Sequence, residues 1–318
     1  MTMSDQSSIN LAVSRALNLS KRAGIGWALI DQDKQILHYD ACMAGLDAGK
    51  LESTIRQYGQ QATELFISSE PTSLTFNIEQ LIRSIEESNI KAIIIGKGFT
   101  GSVANDRWRS WLAGWPGSLA ELPYNPIIDK LSLGMQLLQT SQRPWVTSVT
   151  AGDFSGHSKP LVNLIQEFDF LNYLANLVKQ SRALLVAPTQ RDIIDHLPKE
   201  NYANEPVEVF EIYDQSNISA ILKHCVNELR CSLVVLADIS LLAHLLKQDL
   251  VDEVIHHLAN NGDCQQTTDL PPQTAQAVLN LNGWTLLSSS VVGQCGRMIF
   301  GKPGAFPAPP FPSGRGLN

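Results

Sequence analysis

The sequence predicts an α/β protein of two domains. Three observations carry that prediction. The chain has 318 residues, and at roughly 150 residues per domain that length accommodates two full cores. Amphipathic helical stretches alternate with short apolar runs rich in Ile and Val, the pattern of helices laid on a largely parallel sheet. The pattern occurs on both sides of a stretch at 100–142 that carries three of the six tryptophans.

Residues 9–22 place Ile9, Ala12, Val13, Ala16, Leu17 and Leu19 near a 3.6-residue period, so the chain opens with an amphipathic helix. Two apolar segments at 24–30 and 35–39 flank the polar break 31–34 and read as a hairpin. A helix is expected at about 50–60 and a buried strand at 64–68. The next helix, 78–88, carries Ile78, Leu81, Ile82 and Ile85 on one face and runs into the apolar strand 91–96. The stretch 100–142 reads as a connector of helical pieces. In it Trp108, Trp111 and Trp115 fall on one helix face, which fits either an ordinary core stripe or a domain or dimer contact. Packing between the two domains is the favoured expectation, because the segment joins them.

The second domain begins with the β-branched strand 144–150. A helix near 161–180, strands 183–187 and 207–212, helix 217–229, strand 232–236, helix 239–248 and strand 251–257 follow, with apolar pieces at 284–287 and 297–300 closing the unit. Residues 303–318 hold five prolines and are expected to be a loose tail. The domain boundaries read as 1–142, 143–302 and 303–318.

Composition excludes several classes. There are 24 basic and 31 acidic residues, a net charge of −7, with no basic stripe to neutralise phosphates, so no nucleic-acid surface is expected. No apolar run approaches the roughly 20 residues that cross a bilayer, and the first residues carry no signal-peptide core, so no membrane partner is expected. The five cysteines, Cys42, Cys225, Cys231, Cys264 and Cys295, show no CxxC spacing, which fits free thiols in a reducing, cytoplasmic compartment.

The best-defined local feature is Ser69-Glu70-Pro71-Thr72-Ser73, between a strand and a helix. It reads as a turn with proline near the first helical position and a hydroxyl cap, or as a place where free helix N–H groups meet an anion or a metal-bound water. His256 and His257 are adjacent, so on a strand they face opposite sides and cannot share a metal. The 97–101 run Lys-Gly-Phe-Thr-Gly lacks the order of a phosphate-binding loop.

At these residues the chain resembles the bifunctional riboflavin-biosynthesis deaminase–reductase family. Residues 11–23 are similar to that family's first helix, 63–73 to its strand entering Glu-Pro-Cys-Ser, and 87–95 to the following helix end and strand. In the second half, 142–147 resembles the entry to the reductase domain and 249–254 its late Gly-Leu-Val-Asp-Glu segment. The resemblance implies a cytidine-deaminase-like three-layer domain followed by a dihydrofolate-reductase-like α/β domain. It also implies a zinc site, NADPH, a nucleotide or flavin-precursor ligand and a homodimer.

The chain departs from the family where the chemistry lies. Zinc deamination uses a His and two Cys on Zn²⁺ and a Glu that moves protons. Here Lys50 stands at the His position, Thr72 at the first Cys and a residue near Asn77 at the second, while Glu52 keeps the proton-shuttle place. An ammonium, a hydroxyl and an amide do not replace an imidazole and two thiolates, so no zinc and no deaminase activity are expected. Lys50 either supplies the charge of the lost metal, paired with Glu52 or Glu70, or is a solvated surface residue. In the reductase half, Ser155 falls at the place of the substrate-contacting Asp, with Asp153 two positions earlier. The family's Glu-Gly-Gly-Pro-Thr-Leu, whose glycines close over the NADPH phosphates, corresponds to 236–241, which has no glycine. Asp238 and Ser240 are the cofactor-side candidates there, with Asp238 also readable as a plain helix cap. The reading is therefore a degenerate relative with a binding, scaffolding or regulatory role. Two alternatives stand beside it: a reductase of a phosphoribosyl-aminopyrimidine or related heterocycle, and a repurposed pocket around Lys50, Glu52 and Glu70.

Overall fold

The computed structural model describes residues 3–46, 49–99, 105–123, 125–153, 158–212, 217–259, 279, 283–292 and 295–303. The chain divides into two compact units, Met1–Pro144 with Leu222–Cys231, and Trp145–Ile221 with Ser232–Asn318.

The first unit is built on a five-stranded sheet. Its strands are β1 (Gly24–Ile30), β2 (Ile36–Met43), β3 (Glu64–Ile67), β4 (Ala92–Ile95) and β5 (Ser118–Glu121), in the order β2-β1-β3-β4-β5. β1 runs antiparallel to β2 and β3, whereas β3, β4 and β5 are mutually parallel. The turn between β1 and β2 is closed by Asp31, whose carboxylate accepts from the N–H groups of Asp33 and Gln35 at 2.9 and 2.8 Å. Helix α1 (Met3–Leu19) lies directly on β1. The glycines of Gly24-Ile-Gly26 permit this: a Cβ on Gly26 would stand 2.1 Å from the Ala12 carbonyl oxygen, and one on Gly24 2.4 Å from that of Ala16. Ile9, Ala12, Val13 and Ala16 pack there against Ala28, Ala41 and Phe66, joined by Ile128 and Leu131 of α5 (Pro126–Ser141).

The opposite face is covered by α2 (Lys50–Tyr58), α3 (Ile78–Glu86) and α4 (Asp106–Gly114). Leu51, Ile55, Ile78, Leu81, Ile82 and Ile85 bury against Trp27, Leu65, Ile67, Ile93 and Ile95. The result is the helix, sheet, helix layering that the resemblance implies.

Residues 105–141 are not a connector. They supply α4, the edge strand β5 and α5, and so complete this unit. The expected interdomain role of the tryptophans is corrected accordingly. Trp108 of α4 is fully buried in the core, and the Trp111 and Trp115 rings follow it in tilted contacts with centroids 5.1 and 5.6 Å apart. The Trp111 indole N–H donates to Glu86 at 2.9 Å, which ties α4 to the end of α3.

The second unit carries a larger sheet in the order β12-β13-β11-β6-β10-β8-β9. These strands are β6 (Trp145–Asp153), β8 (Ala183–Val186), β9 (Glu208–Glu211), β10 (Ser232–Leu236), β11 (Glu253–Ala259), β12 (Thr285–Val292) and β13 (Cys295–Gly301); the two-residue β7 (Ser158–Lys159) pairs back onto β6. β6 is central, parallel to both β10 and β11, and buried along its whole length. That explains its uninterrupted run of small and β-branched residues. β13 and β12 add to the sheet antiparallel.

One expected helix is broken in two. Leu161–Leu164 forms a 3-10 turn, and α6 starts only at Phe168 and runs to Lys179. The buried Gln190 holds the break, since its side-chain oxygen accepts the Leu161 N–H at 2.6 Å. Phe170, Leu174, Leu177 and Val178 of α6 then cover Val149, Ala151 and Ile255 of the sheet. α8 (Ile239–Lys247) follows β10, whereas α7 (Ile218–Asn227), after β9, falls from Leu222 onward in the first unit. Beyond Pro303 the expected tail lies outside the described residues.

Candidate functional site

In the first unit the candidate residues lie at the carboxyl ends of β3 and β4 and at the starts of α2 and α3, the end of a parallel sheet where α/β folds place their ligands. Lys50 opens α2. Its ammonium pairs with Asp40 at 2.9 Å and donates to the Ala41 carbonyl at 3.1 Å, so it fastens α2 to β2. Neither expectation for Lys50 survives in full. It is not paired with Glu52 or Glu70, and its side chain is only about one-third exposed. The cause is placement: Asp40 and Ala41, in the second half of β2, lie within reach of the first residue of α2. Asp40 also meets Arg15 and accepts from the Ala41 N–H, and these partners outweigh burial and hold its carboxyl below the usual range.

Glu52 lies in the first turn of α2 and is 1% exposed. Neither carboxyl oxygen has a hydrogen-bond partner among the described residues. Burial pushes its pKa up. The N–H groups of Glu52 itself and Asn77 pull the other way without forming a bond of good geometry, and Arg56 adds a weaker pull. Glu52 is thus a buried acid with a raised pKa beside the start of α3.

Glu70 is also buried, but it is neutralised. Arg109 of α4 grips both its oxygens at 2.7 Å, the Phe99 N–H donates to it at 2.8 Å, and the guanidinium also donates to the Phe99 carbonyl. The expected trio of Lys50, Glu52 and Glu70 therefore does not act as one group: each acid and the lysine has a different environment. Sequence reasoning missed Arg109, which stands 39 residues from Glu70 among tryptophans. It also missed the neighbouring ion pair of Lys97 and Asp129, where burial lowers the lysine's pKa.

Thr72 and Thr75 close a turn of their own. The Thr72 N–H donates to the Thr75 hydroxyl at 2.9 Å, and that hydroxyl donates back to the Thr72 carbonyl at 2.9 Å. The expected cap is corrected as a consequence. α3 starts at Ile78 and is capped by Asn77, whose side-chain oxygen accepts from the Gln80 N–H, so Pro71 is not at a helix start. The three places where the resemblance puts zinc ligands thus hold an ion-paired ammonium, a buried hydroxyl and an amide engaged as a cap. These donors do not fit Zn²⁺, which takes thiolate, imidazole or carboxylate. Among the described residues no group of three or more His, Cys, Asp or Glu is placed to hold a metal.

In the second unit the corresponding place is the carboxyl end of β6. Asp153, 5% exposed, ends that strand and pairs with Lys159 of β7 at 3.3 Å. Ser155 lies outside the described residues. Asp238 caps α8: one oxygen accepts the Leu241 N–H at 2.8 Å and the other the Thr189 hydroxyl at 2.8 Å. Ser240 is exposed in the first turn of α8. A carboxylate bonded to a helix-start N–H stands where a phosphate would sit if a dinucleotide bound at that helix start, and it repels one. The residues present do not fit NADPH phosphates in that manner.

The 249–254 segment that carried the resemblance is structural. Asp252 accepts the Val146 N–H at 2.9 Å and donates its own N–H to Val146 at 3.0 Å, and the Thr147 hydroxyl donates to Glu253 at 3.1 Å, so both acids lock the start of β6 to β11. His256 and His257 face opposite sides, as alternation requires. His256 meets the Thr150 hydroxyl at 2.9 Å, and His257 lies edge-on to Phe170 with ring centroids 4.8 Å apart and, among the described residues, without a hydrogen bond at either nitrogen. Cys42, Cys225, Cys231 and Cys295 are buried and form no disulfide among the described residues, and Cys264 lies outside those residues. No described helix is long and apolar enough to cross a membrane.

No family model matches the sequence, and no curated protein matches it. Solved structures do. RibD from Acinetobacter baumannii, form 1, is 15% identical, with a TM-score of 0.64 over 94% of this chain and 98% of that one. A diaminohydroxyphosphoribosylaminopyrimidine deaminase/5-amino-6-(5-phosphoribosylamino)uracil reductase from Thermotoga maritima is 14% identical, with a TM-score of 0.62 over 94% and 98%. At that identity the likeness speaks for architecture and not for chemistry. Along nearly its whole length, this chain has the fold of the two-domain deaminase/reductases.

Proposed function

We propose that this protein is a degenerate relative of the riboflavin-pathway deaminase–reductases, inactive as a deaminase, that keeps the fold to bind a small nucleotide or flavin-precursor ligand in a scaffolding or regulatory role in the cytoplasm. On this reading residues 1–142 and 143–302 are the two inherited domains. The observation that carries it is Lys50. A cation stands where the family has its first zinc ligand, and it is spent on Asp40 and the Ala41 carbonyl, so Glu52 is left as a buried acid with no metal-bound water to serve. Glu52 has the place of a proton shuttle without the Lewis acid that gives the shuttle its work.

The test is metal content and turnover together. Full-length protein produced in zinc-supplemented medium is expected to carry well below one zinc per chain and to release no ammonia from the aminopyrimidine phosphate that the Thermotoga maritima enzyme's name specifies. Stoichiometric zinc with turnover overturns the reading.

A second reading, an NADPH-dependent reductase acting through the second unit, is favoured by one observation. Asp153 is a buried acid at the end of the central strand, held by Lys159, in a position to meet a ligand at the sheet's carboxyl end. On that reading Asp153 contacts the substrate, and the cofactor phosphates are held by backbone groups away from Asp238.

A further inference from the structure

The ends of α3 and α4 enclose a cavity of about 500 Å³ in the first unit, a volume within the range of small-molecule sites. Ile85, Glu86 and Ile90 line it from the end of α3 and the turn beyond, and Trp111, Gly114 and Trp115 from the end of α4. α3 starts beside Glu52 and runs away from it, and Ile90 precedes the amino end of β4. The cavity therefore lies at the opposite end of the sheet from Glu52 and Glu70, and neither they nor Lys50 line it.

Local rules hold its walls. Trp115 precedes Pro116 and is extended, the conformation a following proline favours, and its N–H closes α4 on the Leu112 carbonyl. The Trp115 ring lies against Gly117, where a Cβ would stand 2.3 Å from it, so this position accepts only glycine. On the other side the Ser88 hydroxyl donates to the Ile85 carbonyl at 2.7 Å and accepts the Ile90 N–H at 3.2 Å. That turn sets the buried Ile85 and Ile90 as an apolar floor. Gly114 leaves the space open, since a Cβ there would meet nothing within 4 Å.

Glu86 is the charged residue of this lining. One of its oxygens accepts the Trp111 indole N–H, and the other has no hydrogen bond among the described residues. Arg107 lies within electrostatic reach, but its guanidinium is bonded to Glu79 at 2.7 Å. We infer that this cavity binds a small amine with an aromatic or apolar body, at a site separate from both inherited ones. The occupant follows from the lining. Isoleucines and indoles take the apolar body, and indole rings attract a nearby positive charge. The remaining Glu86 oxygen accepts the ammonium N–H, whereas an anion of the same shape meets a carboxylate. The inference is independent of whether either inherited site is active.

The experiment follows the Trp111 indole N–H signal by NMR in full-length protein carrying isotope-labelled tryptophan, with Trp111→Phe to assign it. Phenethylamine, phenethyl alcohol and phenylacetate, which share one shape, are titrated at neutral pH and low salt. The amine is expected to shift the signal saturably and to bind about fivefold tighter than the alcohol, with phenylacetate weaker than both. Glu86→Gln keeps an oxygen for the Trp111 N–H and is expected to bring the amine down to the alcohol's affinity. Gly114→Leu puts a side chain into the open space and favours the helix, so it is expected to abolish binding of both while circular dichroism stays unchanged. Equal affinity of amine and alcohol, a preference that survives Glu86→Gln, amine binding that survives Gly114→Leu, or no saturation at millimolar amine overturns the inference.

Discussion

Arg109→Ala is expected to destabilise the first unit by about 3 kcal/mol, because it leaves the Glu70 carboxylate buried without its cation. Glu70 is 4% exposed and has both oxygens on the guanidinium, whereas Arg109 is 45% exposed. Water reaches the arginine side of the pair, so the effect stays at the lower end of what breaking a buried ion pair produces. The loss propagates, since the same guanidinium holds the Phe99 carbonyl and thereby the loop after β4. Arg109→Lys is not expected to restore it, because an ammonium cannot bridge two carboxyl oxygens and a carbonyl in one plane. Adding Glu70→Gln to Arg109→Ala is expected to recover part of the loss. Urea unfolding of the full chain, with the first unit's transition followed by tryptophan fluorescence, measures all three. A change within 0.5 kcal/mol for Arg109→Ala, the size typical of a featureless surface substitution, would contradict the assignment.

Acid is expected to unfold the second unit early, through two buried histidines. Burial depresses His256 to a pKa of about 4 and His257 to about 3, the latter helped by Arg297 and His256. The groups around His257 offer no compensation: Phe170 and Tyr173 are aromatic and Arg297 is a cation. As pH falls below about 6.5 the unfolded chain takes up protons at both rings while the folded chain does not, so stability drops through the window from 6.5 down toward the folded values. Between pH 7 and pH 5 each histidine removes about 2 kcal/mol, or about 4 kcal/mol for the pair. In the first unit, Asp40, held below the usual carboxylate range, adds to the acid loss. Glu52 acts in the opposite sense, since its raised pKa makes acid favour the folded form. His257→Phe keeps an aromatic ring against Phe170 and is expected to flatten the pH dependence of the second unit by about half. An unchanged slope in thermal unfolding between pH 7 and 5 would show that the buried rings do not control it.

Much of this fold was legible in the residues because it depends on local rules. Ile78, Leu81, Ile82 and Ile85 mark α3 by spacing alone, and Asp238 could be read as a cap from its place before a helix. β5 was invisible for a physical reason: Ser-Leu-Ala-Glu has no β-branched residue, and all four residues are exposed, so nothing in its pattern distinguishes it from a loop. The tryptophans illustrate a different limit. Their spacing put Trp108, Trp111 and Trp115 on one helix face, but α4 ends at Gly114 and Trp115 follows it in extended backbone, and periodicity says that a face is buried and not what buries it. At the candidate site, Lys50, Thr72 and Asn77 could be set against zinc by chemistry alone. The partners of Lys50 and Glu70 could not, because Asp40 and Arg109 come from elements that the chain brings near only by folding.

The most direct measurement is a fluorescence titration of the full-length protein with NADPH, with NADH as the control. With Asp238 bonded to the start of α8 and Lys50 fastened to Asp40, degeneracy of both inherited sites predicts no saturable change up to millimolar NADPH. Saturable binding of NADPH in the micromolar range, with NADH much weaker, would contradict it and restore the second unit as a reductase.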